Sequence, residues 1–99
     1  MLNIQKNIES ETAAITLEGR LDTNTAPDLE KEIKELPDTV SALTLDFSDL
    51  EYISSAGLRV LLAAQKFMAK RGEMKVLHPN ETIMEIFEVT GFSDILTIE

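Results

Sequence analysis

The sequence has 99 residues, 43% of them hydrophobic and 27% charged, which suits one globular domain, residues 1–99, built around one core. It has no cysteine and a single histidine, His78, which excludes disulfides, zinc fingers, thiol catalysis and a multi-histidine metal site. Eighteen acidic against nine basic residues give a formal net charge of −9, which repels phosphate backbones and argues against direct nucleic-acid binding; it suits a basic protein partner, or serves only solubility.

The first residues, Met1 to Lys6, lack the basic-then-apolar layout of a signal peptide. No apolar run approaches the roughly 20 residues of a membrane span, so a cytoplasmic protein without membrane insertion is expected. Leu2, Ile4 and Ile8 alternate with polar residues, and Ala13, Ile15 and Leu17 do the same across the polar turn Glu9 to Thr12, which predicts an opening β-hairpin. Thr25-Ala26-Pro27-Asp28 then supplies an N-cap, an acid three residues on and a proline tolerated in the first turn, followed by Leu29, Ile33 and Leu36 at helical spacing. This first helix is expected to end at Pro37.

Ala42 to Phe47 is short and mostly apolar, as in a central strand covered on both faces, and a loop is expected over Ser48 to Ser54. From Ser55 the pattern turns helical, with Leu58, Leu61, Leu62, Gln65 and Met68 on one stripe and Gly72 as the stop after Lys70-Arg71. Arg59, Ala63, Lys66 and Lys70 form the opposite stripe, either a solvated face or a partner contact. Met74 to Leu77 reads as a fourth strand, Asn80 caps a third helix running to Gly91, and Ile95 to Ile98 closes the sheet. Strands alternating with helices after a hairpin imply an α/β fold with crossover helices and a mixed, largely parallel sheet. The loops at the carboxyl ends of its parallel strands would place Asp22, Ser54, Ser55 and His78 on one edge.

The serine pair in Asp49-Leu50-Glu51-Tyr52-Ile53-Ser54-Ser55-Ala56-Gly57-Leu58 stands where strand gives way to helix. A serine oxygen there accepts from unpartnered helix N–H groups as a cap, and a phosphate does the same, so the position suits a cap or a switch. Either residue of the pair could be the cap. The run lacks the first glycine of a nucleophile elbow, and His78 is the sole possible imidazole base, so no enzyme activity is expected.

This run resembles the signature of the STAS domain family, and within it the small bacterial anti-sigma factor antagonists, as does Gly19-Arg20-Leu21-Asp22 followed by Thr25-Ala26. The resemblance implies the same α/β fold and a domain without catalysis or cofactor of its own. Anchored on Gly57-Leu58, it puts the phosphoacceptor at Ser55, with Ser54 where the family often has Asp and Ala56 where it has a second hydroxyl. It further implies two partners, an anti-sigma factor serine kinase that binds and phosphorylates the domain and a phosphatase that restores it. The unphosphorylated form thereby releases a sigma factor and controls transcription. Asp22, Asp49, Ser54, Ser55, Gly57 and Arg59 are the expected partner-binding residues. Asp22 has the alternative of a plain Asx-turn and Gly57 that of helix–sheet packing. The competing function is an unphosphorylated STAS interaction module, such as an accessory subunit of a lipid transport system.

Overall fold

The computed structural model describes residues 2–99, folded as β1 (Leu2–Glu9), β2 (Thr12–Leu21), α1 (Ala26–Lys34), β3 (Ala42–Ile53), α2 (Ser55–Ala69), β4 (Glu73–Leu77), α3 (Glu81–Thr90), a 3₁₀ turn (Phe92–Asp94) and β5 (Thr97–Ile98). The strands lie side by side in sequence order, β1 antiparallel to β2 and every later pair parallel. Right-handed crossovers that all step the same way stack their helices on one face of the sheet. Burial follows that geometry: Ala13, Ile15, Leu17, Leu43, Leu45, Phe47, Met74 and Val76 are at most 2% exposed. The alternating Ala14, Thr16, Thr44, Asp46 and Lys75 reach solvent on the other face. β3 is therefore covered on one face, not two, and its Thr44 and Asp46 are the polar half of an ordinary period-2 pattern.

The core lies between sheet and helices. Leu29 and Ile33 of α1, Leu58, Leu61 and Met68 of α2, and Ile83 and Phe87 of α3 all close on it. The Phe87 ring meets Phe47 with centroids 6.4 Å apart, tilted by 39°. The buried stripe of α2 also takes in Val60 and Ala64, because this helix packs on α1 as well as on the sheet, whereas Leu62 and Gln65 are only half-buried. α1 stops at Lys34, short of Pro37, and Leu36 and Val40 continue the core from the connecting loop. The hairpin closes through Ser10 and Glu11 with Ser10 at φ 53°, and the final strand shrinks to Thr97–Ile98.

The expected loop over Ser48 to Ser54 is instead strand as far as Ile53. Pairing runs Thr16 with Asp46 and then Glu18 with Asp49, and later Gly19 with Leu50 and then Arg20 with Tyr52. Each jump inserts one extra residue into β3, a β-bulge. At the first bulge the Asp46 carboxylate accepts from both the N–H and the hydroxyl of Ser48, and together these hold its pKa below 3.8 against a smaller opposing effect of burial. The bulges account for the misreading: they break the alternation, so Leu50 and Ile53 enter the core at a spacing that no regular strand shows.

Where α2 hands over to β4, a Cβ on Gly72 would stand 1.8 Å from the Ser41 carbonyl oxygen, the same oxygen that accepts from Glu73 N–H at 2.9 Å. Only backbone movement relieves such a contact. Gly72→Ala should lower stability by about 3 kcal/mol, read as a lower urea midpoint at unchanged m-value.

Candidate functional site

The end of the sheet where β2 and β3 finish is assembled from helix N-termini. After β2, Asp22 Oδ1 accepts from Asn24 N–H (3.0 Å) and Thr25 N–H (3.1 Å), while Thr25 Oγ1 accepts from Asp22 N–H (2.8 Å) and donates to the Arg20 carbonyl (2.9 Å). This is a reciprocal capping box three residues upstream of the expected one, with Asp22 as the cap and Thr25 answering it. The Asp22 carbonyl also accepts from Ala26 N–H at 2.8 Å, whereas the Thr25 side chain makes no cap bond to α1. Partial desolvation pushes the Asp22 carboxyl up. The hydrogen bonds from Thr25 and Asn24 outweigh it and hold the pKa below 3.8. Asp22 thus makes the turn that the sequence offered as one of its two readings, and its carboxylate stands at the loop edge while doing so.

Ser54 is the N-cap of α2. Its backbone is extended, its Oγ accepts from Gly57 N–H at 3.4 Å, and its N–H donates to the Leu21 carbonyl at 2.9 Å, which ties the start of α2 to the residue before Asp22. Ser55 is the first residue of the helix, exposed, and among the described residues its hydroxyl makes no hydrogen bond. Gly57 is buried: a Cβ there would lie 2.7 Å from Ile53 Cγ1 and 2.8 Å from Leu21 Cγ, so packing of the first turn demands glycine. Arg59 lies one turn beyond Ser55 and is exposed with it, on the same flank of the helix.

Two residues expected here lie elsewhere. Asp49 pairs with Glu18 on the open face of the sheet, three strand positions or roughly 10 Å from the β2 terminus. His78 follows Leu77, which pairs with Asp46, so it sits level with the middle of β3 while Ser54 stands beyond the end of that longer strand. His78 adopts φ 55° and its N–H donates to the Glu99 carbonyl at 3.0 Å.

Sequence reasoning missed two supports of the site. Asn80, which caps α3 through Ile83 N–H as expected, also donates its Nδ2 to the Leu50 and Glu51 carbonyls, and this second contact braces the bulged end of β3. Arg20 stacks on Tyr52 with its Cζ 4.6 Å from the ring centroid. Neither contact has a local sequence signal, since both partners come from distant segments. Among the described residues no group of three or more His, Asp or Glu side chains could hold a metal ion, and no helix is long and apolar enough to cross a membrane.

The two serines should separate in stability measurements. Ser54→Ala removes a cap and should cost ~1 kcal/mol, whereas Ser55→Ala should fall within about 0.5 kcal/mol of the parent. Asp22 supplies an acid-limb test. Its folded pKa is depressed, so its contribution is present above the ordinary carboxylate value and is lost as pH falls through the folded one. Asp22→Asn keeps an acceptor oxygen but cannot titrate, so between pH 5 and pH 2 its denaturation midpoint should fall less steeply than that of the parent.

Residues 4–97 match the family described as Mlab, STAS domain. A Bordetella bronchiseptica protein named "Putative anti-sigma factor antagonist BtrV" is 36% identical over 84 residues, covering 83% of this chain and 72% of its own length. Among solved structures, an anti-sigma factor antagonist from Mycobacterium paratuberculosis superposes with a TM-score of 0.88 at 23% identity, over 99% of this chain and 85% of that one. The Bacillus cell fate determinant SpoIIAA in its phosphorylated form gives a TM-score of 0.77 at 22% identity, over 98% of this chain and 91% of that one. A match across almost the whole sheet and helix layer, with a relative above one-third identity, settles the family: the chain belongs to the STAS domain family, and it is similar there to proteins named as anti-sigma factor antagonists.

Proposed function

We propose that the protein is an anti-sigma factor antagonist switched by phosphorylation of Ser55. The observation that carries the reading is the division of labour between the serines: Ser54 caps α2, which leaves the Ser55 hydroxyl exposed and unengaged at the first helical position. The name of the Bordetella relative supports the antagonist role, and the phosphorylated SpoIIAA structure shows that a protein of this fold takes up phosphate.

In the unphosphorylated form the edge made by Asp22, Ser54, Ser55 and Gly57, extended along α2 by Arg59, binds an anti-sigma factor serine kinase, and the sigma factor is released. Asp49, on the open face, meets only a partner that reaches over the end of the sheet. Phosphate on Ser55 adds about −1.5 to −2 charges and three acceptor oxygens. The helix N-terminus favours that anion by typically 0.3–1 kcal/mol, so the fold survives while the surface changes. Within an interface the dianion must be desolvated close to the Asp22 carboxylate, which costs partner affinity. A phosphatase returns the edge to its binding form.

Binding of the cognate kinase to the parent, Ser55→Ala and Ser55→Asp, measured by calorimetry, tests this. Ser55→Ala should bind like the unphosphorylated parent and stay bound in the presence of ATP. Ser55→Asp should fold normally and bind at least tenfold more weakly, about 1.4 kcal/mol. Parent-like binding by both variants, with no phosphate found on Ser55 by mass spectrometry, would leave an unphosphorylated interaction module as the function.

A further inference from the structure

Charge is unevenly distributed along this acidic chain. Residues 52–72, which include α2, hold four of its nine Lys and Arg and none of its eighteen Asp and Glu. Residues 76–99, which include α3, hold five acids and no Lys or Arg. Each charged segment also bears an apolar feature. Between α1 and α2 lies an open groove of about 110 Å³, lined by Ile33, Val60, Ala63, Ala64 and Phe67. Glu30 and Lys34 on its α1 side form an ion pair at 3.8 Å, and on the α2 side the exposed Arg59, Lys66 and Lys70 stand three or four residues from the lining Ala63 and Phe67, on the same flank of the helix. On the acidic segment, Val89 is 87% exposed and Ile95 45%, two of the three large hydrophobics exposed among the described residues. Glu85 and Glu88 are exposed on the same helix as Val89, and the exposed Asp94 precedes Ile95.

We propose that the α1–α2 groove receives the Val89 knob of a second copy of this chain, in a head-to-tail contact steered by the acids of α3 against the cations of α2. Sign and shape match at once: a cavity of this size takes one branched aliphatic side chain, and the small Ala63 and Ala64 let the incoming helix approach closely. Knob and groove are different surfaces of one molecule, so the contact is heterologous, and each bound copy presents a fresh groove or knob to the next. The proposal does not depend on the phosphorylation reading: it uses neither Ser55 nor the loops, and the two surfaces share only Arg59.

Sedimentation velocity from about 10 μM to about 1 mM at low salt, the range where a contact of this size associates, tests it. The average mass should rise with concentration and fall back when salt screens the charges. Val89→Lys removes the knob, and Ala63→Glu fills the groove. Both positions are exposed, so both variants should keep the parent melting temperature, and each alone should be monomeric. Mixed, they should form a one-to-one dimer that grows no further, since one variant still carries a groove and the other a knob. A parent that is monomeric throughout overturns the proposal, as does association that survives either substitution, or a mixture that stays monomeric. Monomeric protein whose groove binds an acidic amphipathic peptide or anionic vesicles instead would also overturn it and assign the groove to that occupant.

Discussion

The contact that fixes the candidate site is the seating of the first turn of α2 on the ends of β2 and β3. Leu21 is central to it. Its carbonyl accepts from Ser54 N–H, and its side chain fills the space that a Cβ on Gly57 would need. Because Leu21 also precedes Asp22, the same residue sets the start of the α1 capping turn. The two loops that carry Asp22 and the serine pair are thereby held at one spacing, and Ser55 projects from a rigid base. Under the proposed function, a phosphate on Ser55 would change the charge of the surface while the packing of Leu21 against Gly57 beneath it stays as it is.

Much of this was legible in the sequence because the signals were local and periodic. The alternation of Ala13, Ile15 and Leu17, the helical spacing after Ser55 and the cap at Asn80 each named an element within a few residues of where it lies. The Gly57-Leu58 anchor, through the family resemblance, marked the serine that the structure leaves unengaged. Misreadings arose where a local rule had two solutions or a distant one decided. Thr25-Ala26-Pro27-Asp28 fits a capping box, yet Asp22-Thr23-Asn24-Thr25 fits the same rule three residues earlier, and the Thr25 hydroxyl is committed to the earlier one by accepting from Asp22 N–H and donating to the Arg20 carbonyl. β3 was truncated because its pattern fails after Phe47, and only pairing with Glu18 to Leu21 shows that the strand continues. The same strand length sets Asp49 level with Glu18 and His78 next to the Leu77–Asp46 pair, whereas Ser55 follows the end of β3.

One-sided coverage of the sheet divides the molecule by task. The helix face supplies the burial that stabilises a 99-residue chain, and the open face, with Thr16, Thr44, Asp46 and Lys75, adds little to the core. The loop end, the outer faces of the helices and the open sheet can therefore vary in charge without disturbing the interior. That separation is what lets α2 be cationic and α3 anionic on one small domain.

The two bulges of β3 have a joint effect that neither has alone. From Phe47 an unbroken strand would turn Asp49, Glu51 and Ile53 toward the core, burying two carboxylates with nothing to pair them. The first extra residue inverts the phase and the second inverts it back, so Leu50 and Ile53 face inward while Asp49 and Glu51 stay in water. In the language of insertions and deletions, losing one of the two residues would reverse every side chain from there to the helix, Ser54 included. Losing both would restore Ile53 but shorten the strand by two positions, drawing the serine pair back from Leu21. The position of the serine pair and the solvation of the acidic run that leads to it are thus set by a single parity, carried in the backbone of one strand.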